Sequence, residues 1–174
     1  MANTYVAIAT VTVSTSAPTT IEFNTIPTTY TDLLVKLSVR TSKGSVSDSL
    51  GIYFNGSSTG YTTRSIVGNG STATSGFDTG YTDAYVGESN ADGATASTFS
   101  NQEIYIPNYQ SSNNKSFFVD SVAENNATQG YNQTIAGVWA NTAAITSVRF
   151  RTFNTTNRTF NQYTTATLYG IKNS

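Results

Sequence analysis

The sequence predicts an all-β domain, a sandwich or barrel of eight to ten antiparallel strands. Three observations lead there. Apolar residues recur at every second position in many short runs, the period of a half-buried strand. Turn dipeptides separate those runs. No stretch sustains helical periodicity beyond about two turns, so strands do not alternate with helices as they would around a parallel sheet. At 174 residues the chain suits one domain over residues 1–174. A chain of this size buries roughly two-thirds of its unfolded surface without needing metals or disulfides.

The clearest strand is Leu33, Val35, Leu37 and Val39 alternating with Leu34, Lys36, Ser38 and Arg40. Eight residues of alternation imply one buried and one largely wet face. In chain order the other strands are expected at Tyr5–Val13, Thr20–Phe23, Leu50–Phe54, Phe99–Ile106, Phe117–Val122, Thr134–Trp139, Thr146–Phe153 and Thr165–Ile171, all rich in β-branched and aromatic residues. Turns are expected at Asn55-Gly56, Asn69-Gly70, Asp92-Gly93 and Pro107-Asn108. Residues 56–97, dense in Gly, Ser, Thr and Ala, read as long loops with two weak strands around Tyr61–Val67 and Tyr81–Val86. The apolar start up to Ala17 lacks a positive n-region and a continuous hydrophobic stretch. It reads as a strand, with no Sec-type export expected.

Composition removes many functions. Charged residues make up 11% and hydrophobic ones 37%, with Ser, Thr and Asn at about 40%. That is not the high-charge signature of disorder. Histidine and cysteine are both absent. Ser-His-Asp and Cys-His nucleophile systems, disulfides, iron–sulfur clusters and Cys/His zinc sites are thereby excluded. Nine basic residues spread through a chain of net charge −1 do not suit a phosphate backbone, so no nucleic-acid partner is expected. No apolar run approaches the roughly 20 residues of a membrane-spanning helix, and no membrane role is expected.

The remaining candidate sites are few. Glu88-x-Asn90-x-Asp92-Gly93 resembles the opening of an oxygen-ligand calcium loop, but Phe99 stands where the closing bidentate acid belongs. It reads as a polar hairpin turn. The ten acids are scattered and none sits in an apolar frame that would raise a pKa, so a glycosidase-like carboxylate pair is not expected. Glu22 and Glu103 fall on solvated strand faces by alternation. Trp139 reads as core, whereas Tyr61, Tyr81, Tyr85 and Tyr109 lie in loop-rich stretches and would supply the rings of any sugar-stacking surface. Arg149 and Arg151 alternate with Val148, Phe150 and Thr152 and emerge on the wet side of one strand. They are ordinary solvated residues or anchors of a protein interface, where Arg is enriched. Asn-x-Ser/Thr triplets, as at Asn55, Asn69 and Asn126, occur about as often as this composition gives by chance. No catalytic, cofactor-binding or metal-binding residues are expected.

Several segments form an ordered set: Ile26-Pro-Thr-Thr-Tyr-Thr-Asp-Leu33, Tyr53-Phe-Asn-Gly56 with Gly60-Tyr-Thr62, Ile104-Tyr-Ile-Pro-Asn-Tyr109 with Lys115, Gly137-Val-Trp139 running into Ala144-Ile-Thr146, and Leu168-Tyr-Gly-Ile171. In this order they resemble a family of virion structural proteins of tailed bacteriophages, including phages of cyanobacteria and other marine bacteria. The resemblance runs from about Ile8 to Ile171. It implies a jelly-roll-like β-sandwich and a non-enzymatic role on the particle, and it carries over no catalytic residues. Pro27, Pro107 and the Asn-Gly turn would shape corners, with Tyr30, Trp139 and Leu168 as packing.

Two placements follow from the resemblance. In the first, the chain is a capsid decoration or cement protein on the virion exterior, holding neighbouring major capsid subunits. Its short length and near-neutral charge suit that role. Attachment would be multivalent, with a homotrimer on a local three-fold axis as the expected assembly. In the second, it is a tail-fibre or receptor-binding protein that recognises a host surface glycan. The few residues before the first strand leave little room for an N-terminal fibre attachment segment, which favours the first.

Overall fold

A computed structural model describes residues 4–155 and 157–172. Twelve strands form: β1 (Tyr5–Thr12), β2 (Ile21–Phe23), β3 (Asp32–Thr41), β4 (Ser47–Phe54), β5 (Tyr61–Gly68), β6 (Ala73–Thr79), β7 (Ala84–Ala91), β8 (Ser100–Ile106), β9 (Lys115–Glu124), β10 (Gly130–Trp139), β11 (Val148–Thr152) and β12 (Thr165–Ile171). There is no helix among the described residues. The all-β sandwich expected from the sequence forms, with twelve strands in place of eight to ten.

The larger layer is an antiparallel sheet in the order β1-β12-β3-β8-β9-β10-β5-β6. The smaller layer runs β2-β11-β4-β7. One strand joins them. Beyond its partner β8, the end of β3 pairs with β7, Arg40 opposite Asn90 and Thr41 opposite Ala91. That pairing is parallel, the one departure from an otherwise antiparallel fold among the described strands.

Strand β7 lies across the inner face of the larger sheet and touches β5, β8, β9 and β10. Burial alternates strictly along β8 and β9, with every second residue facing inward. The strand itself is buried on nearly every residue. It bulges where Val86 and Gly87 stand opposite Leu50. Gly87 sits there at φ 108, and a Cβ would come 2.4 Å from Ser121 Oγ. Only glycine accommodates both that dihedral and that approach.

The space between the layers has two chemistries. Beside the β4–β5 turn, Phe54, Tyr61, Phe117 and Trp139 form an aromatic cluster, with Phe54 ring centroids 5.5 Å from Trp139 and 5.8 Å from Phe117. Gly137 leaves room for the Phe117 ring, which a Cβ would meet at 2.0 Å. Beside β7 the interior is polar. Gln133 accepts from Glu88 N at 2.6 Å and donates to Tyr85 Oη at 2.8 Å, while Gln102 donates to Glu88 O at 2.8 Å. These bonds pair buried groups that would otherwise carry a desolvation cost. Lys115 is buried as well, its ammonium donating to Ser111 O and Asn113 O at 2.6 Å. Burial pushes its pKa down.

Corners form where the turn chemistry places them. Asn55 and Gly56 both adopt positive φ, 53 and 69, as a tight hairpin requires. The Asn55 side chain also clamps the chain at Ala144 O and at Thr146 N, both at 2.8 Å. Asn108 takes φ 46 after Pro107 and donates its N–H to Asp32 Oδ1 at 2.8 Å. Tyr30 packs its ring over Gly170, where a Cβ would lie 2.3 Å from it.

Candidate interaction surfaces

Three surfaces follow from this architecture: the outer faces of the two sheets, and the loops at one end. The outer face of the larger sheet is open. Its strand register aligns one row across all eight strands: Ala7 opposite Tyr169, Tyr169 opposite Leu34, and Leu34 opposite Tyr105. The row continues from Tyr105 to Phe118, Phe118 to Ala136, Ala136 to Arg64, and Arg64 to Phe77. With strands about 4.8 Å apart the row is about 34 Å long. Apart from Arg64 it is aromatic or apolar, and the Arg64 guanidinium lies 3.6 Å from the centre of the Phe77 ring.

Neighbouring rows add Ile66, Val122 and Val138, and Tyr5 flanks the β1 edge. Among the described residues, seven of the nine exposed large hydrophobic residues thus lie on this one face. Single exposed apolar residues are ordinary, but a contiguous set marks an interaction site. Charge here comprises Arg64, the Lys36–Glu103 pair and the exposed carboxylates of Asp120, opposite Glu103, and Glu124. Lys36 and Glu103 pair at 2.9 Å, both half exposed. Tyr105 donates to Asp32 Oδ2 at 2.7 Å, and this bond, followed by burial, pushes its pKa up to about 12.

The outer face of the smaller sheet is closed by its own side chains, and Arg149 and Arg151 lie here on β11. Arg149 is bound to Glu22 on β2 and donates to Tyr53 Oη at 2.9 Å. Arg151 donates Nε to Asp83 Oδ2 at 2.9 Å and also binds Thr82. Both guanidinium carbons stand near the Tyr53 ring, at 5.2 and 5.1 Å from its centre. Asp83 has a fully buried side chain, and its carboxylate occupies the space a Cβ on Gly51 would need. Alternation placed both arginines on the outward side. They are half-buried there, and their charges are matched within the chain.

The third surface is a cleft of about 470 Å³ at one end of the sandwich. Three loops converge on it: Ser14, Thr15 and Ala17 follow β1, Ser97 and Phe99 precede β8, and Asn161 to Tyr163 precede β12. Arg40 forms part of the lining. Its guanidinium donates to the carbonyls of Thr95 and Thr98 at 2.9 Å and of Ala94 at 3.1 Å, tying down the loop that carries Ser97.

Several sequence expectations are corrected here. Tyr61, Tyr85 and Tyr109 are buried, because each ring fills the interior and each hydroxyl finds an internal partner. Only Tyr81 of that group is exposed, so those four rings form no common sugar-stacking surface. Asp32, Asp48 and Asp83 are buried, which the scattered acids of the sequence did not signal, and each has polar or charged partners. Asp48 is matched by Arg158, Lys43 and Thr41, and Asp83 by Arg151. Glu22 is paired with Arg149 and only partly solvated, whereas Glu103 is exposed as expected. The side chains of the calcium-like motif have separate partners. Glu88 accepts from Ser49, Asn90 donates to Thr98 and to Glu124 O, and Asp92 accepts from Asn161. Glu88 and Asn90 belong to strand β7, and only Asp92-Gly93 forms the turn.

Comparisons with protein-family models, curated proteins and solved structures return no match for this chain.

Proposed function

We propose that the chain is a non-enzymatic virion structural protein, a decoration or cement protein on the outer surface of a phage head that binds neighbouring major capsid subunits. The observation that carries this reading is the open apolar face of the eight-stranded sheet. Strands of seven to ten residues rise about 3.3 Å per residue, so a face about 34 Å wide offers on the order of 800 Å². A standard protein interface takes about 800 Å² per partner. Charge on the face consists of Arg64, the Lys36–Glu103 pair and the exposed carboxylates of Asp120 and Glu124, so docking on it desolvates mainly apolar and aromatic surface as long as those carboxylates stay at the rim or meet a cation. Rigidity comes from the second layer, which covers the inner face and limits the ordering cost on binding.

The sequence resemblance to phage virion proteins supplies the partner, and a homotrimer supplies the avidity that modest single contacts need. With few charges involved, attachment depends little on salt. Arg149 and Arg151 are a secondary contact surface, already neutralised by Glu22 and Asp83. The alternative, a tail-fibre or receptor-binding protein for a host glycan, draws on the loop cleft instead of the sheet face.

Quantitative mass spectrometry of purified particles tests the reading. Hundreds of copies per particle are expected, and a count in the tens or lower defeats it. Phe118→Glu, at the centre of the open face, is expected to abolish binding to empty heads while the purified variant keeps its melting temperature within a few degrees. Undiminished binding by that variant removes the sheet face from the proposal.

A further inference from the structure

The loop cleft lies at the end of the sandwich, away from the open sheet face, and its chemistry differs from that face. Ala17, Ser97 and Tyr163 each contribute to its lining, and each adopts a left-handed backbone, at φ 45, 61 and 71. Non-glycine residues rarely hold that conformation, and bulky ones least of all. The three lie on three different loops that meet at one cleft. Three of the eight positive-φ non-glycine residues among those described thus meet here, and strain of this kind is found at ligand sites as well as in turns. Loops brought together at one end of a β-sandwich are also a recurrent binding architecture.

The lining defines the ligand. Arg40 is the sole charged residue in it, and its NH1 and NH2 atoms donate to the carbonyls of the 94–98 loop while Nε faces Asp92 at 3.7 Å. The cleft therefore presents no spare charge to an anion. What remains is neutral and polar. Thr15, Ser97 and Gln162 are exposed and make no side-chain hydrogen bond within the described residues. Tyr163 is 68% exposed and Phe99 lies beside the same space. Hydroxyl and amide groups around an exposed aromatic ring match a neutral, polyhydroxylated molecule with an apolar face. A volume of about 470 Å³ accommodates one or two sugar rings.

We infer that this cleft is a binding site for a neutral saccharide, with Tyr163 as the stacking platform and Thr15, Ser97 and Gln162 as hydrogen-bonding partners. The site shares no residue with the open sheet face, so either assignment can fail alone. It is also distinct from the tyrosines that sequence reasoning suggested for sugar stacking.

Amide chemical-shift mapping on the whole chain tests it, with glucose, galactose, mannose, N-acetylglucosamine and their disaccharides as probes and sialic acid as a charged comparator. At about 10 mM, at least one neutral sugar is expected to shift the amides of residues 14–17, 97–99 and 161–163. Tyr163→Gly suits the left-handed backbone and is expected to weaken binding at least tenfold without lowering the melting temperature. Tyr163→Phe is expected to bind within about twofold of the native chain, because stacking survives. Absence of any shift across the panel, shifts confined to the sheet face, a preference for sialic acid, or unchanged affinity in Tyr163→Gly would overturn the assignment.

Discussion

The two outer faces of the sandwich are built from the same kind of strand yet end in opposite states. On the smaller sheet, outward side chains are long and find partners on adjacent strands, Glu22 with Arg149 and both arginines with Tyr53, or on the bend before β7, Arg151 with Asp83. That face satisfies itself. On the larger sheet, the outward row from Tyr169 to Phe77 is, apart from Arg64, made of rings and apolar groups standing side by side; Leu34 is covered, while Tyr105, Phe118 and Phe77 leave apolar surface in water. Cross-strand contacts recover only part of that exposure. Charges matched within the chain make a face that contributes to stability, whereas unmatched apolar surface makes one available to a partner.

That contrast can be broken most severely at Asp83. Its side chain is fully buried and receives Arg151 Nε together with the backbone N–H of Asn154. Asp83→Ala strands a largely buried guanidinium, and a loss of about 3–5 kcal/mol is expected. Calorimetry should register this as a fall in Tm of about 10 °C. A fall of only a degree or two would mean that the smaller sheet is not held by its outer face.

Arg149→Met comes next. The pair it forms with Glu22 is more exposed, with side chains 35% and 26% accessible, so about 1 kcal/mol or less is expected from denaturant titration. On the larger sheet, Ile66→Thr and Val122→Thr keep β-branched strand formers at exposed positions. Each is expected to change stability by about 0.5 kcal/mol or less. A large loss from either would show that the open face is structural and not a docking surface.

The smallest effect concerns pH. Tyr105 is held protonated by its bond to Asp32, with a pKa up to about 12, above the ordinary value of 10.0. A group whose pKa is raised on folding keeps its proton when the unfolded chain would lose it, so its contribution is fully present below pH 10 and disappears as pH rises toward 12. Ultraviolet titration should show one phenol fewer ionising late in Tyr105→Phe, and the alkaline limb of the stability curve should become slightly less steep. An unchanged number of late-ionising phenols would show that Tyr105 is not held protonated in the folded chain.

Much of the fold was legible in the residues. Alternation located β3, β8, β9, β10 and β12 to within a few positions; β8, β9 and β10 have one face on the core and one in solvent, whereas on the expected wet face of β3 only Lys36 and Ser38 are exposed and Leu34 and Arg40 are buried. Strand β6 was missed because it lies at a sheet edge with most residues exposed, and Ser, Thr and Gly write no period there. Strand β7 was placed too early, around Tyr81–Val86. It runs between the layers and is buried almost throughout, so it too lacks alternation. The tyrosines misled for a related reason. Tyr61, Tyr85 and Tyr109 look amphipathic in a polar segment, but their hydroxyls bond Ser57, Gln133 and Pro27 inside the protein.

The sites were less legible than the strands. Arg149 and Arg151 could be assigned to the outward side of their strand, but Glu22 and Asp83 are 127 and 68 residues away and nothing local signals them. The apolar row is written as isolated letters on eight separate segments. The cleft is written in Ser, Thr, Asn and Gln, the commonest letters of this chain, and its three left-handed residues carry no glycine signature.

By itself, then, the sequence determined that the chain is all β, which residues face inward on the regular strands, and that His and Cys chemistry is absent. Tertiary structure alone decided which faces stay open, which charges meet, and that three distant loops share one cleft. The physical reason is range. Side-chain alternation is a property of a single strand and its two environments, while register and sheet order bring together residues dozens of positions apart through backbone bonds that every residue type can make.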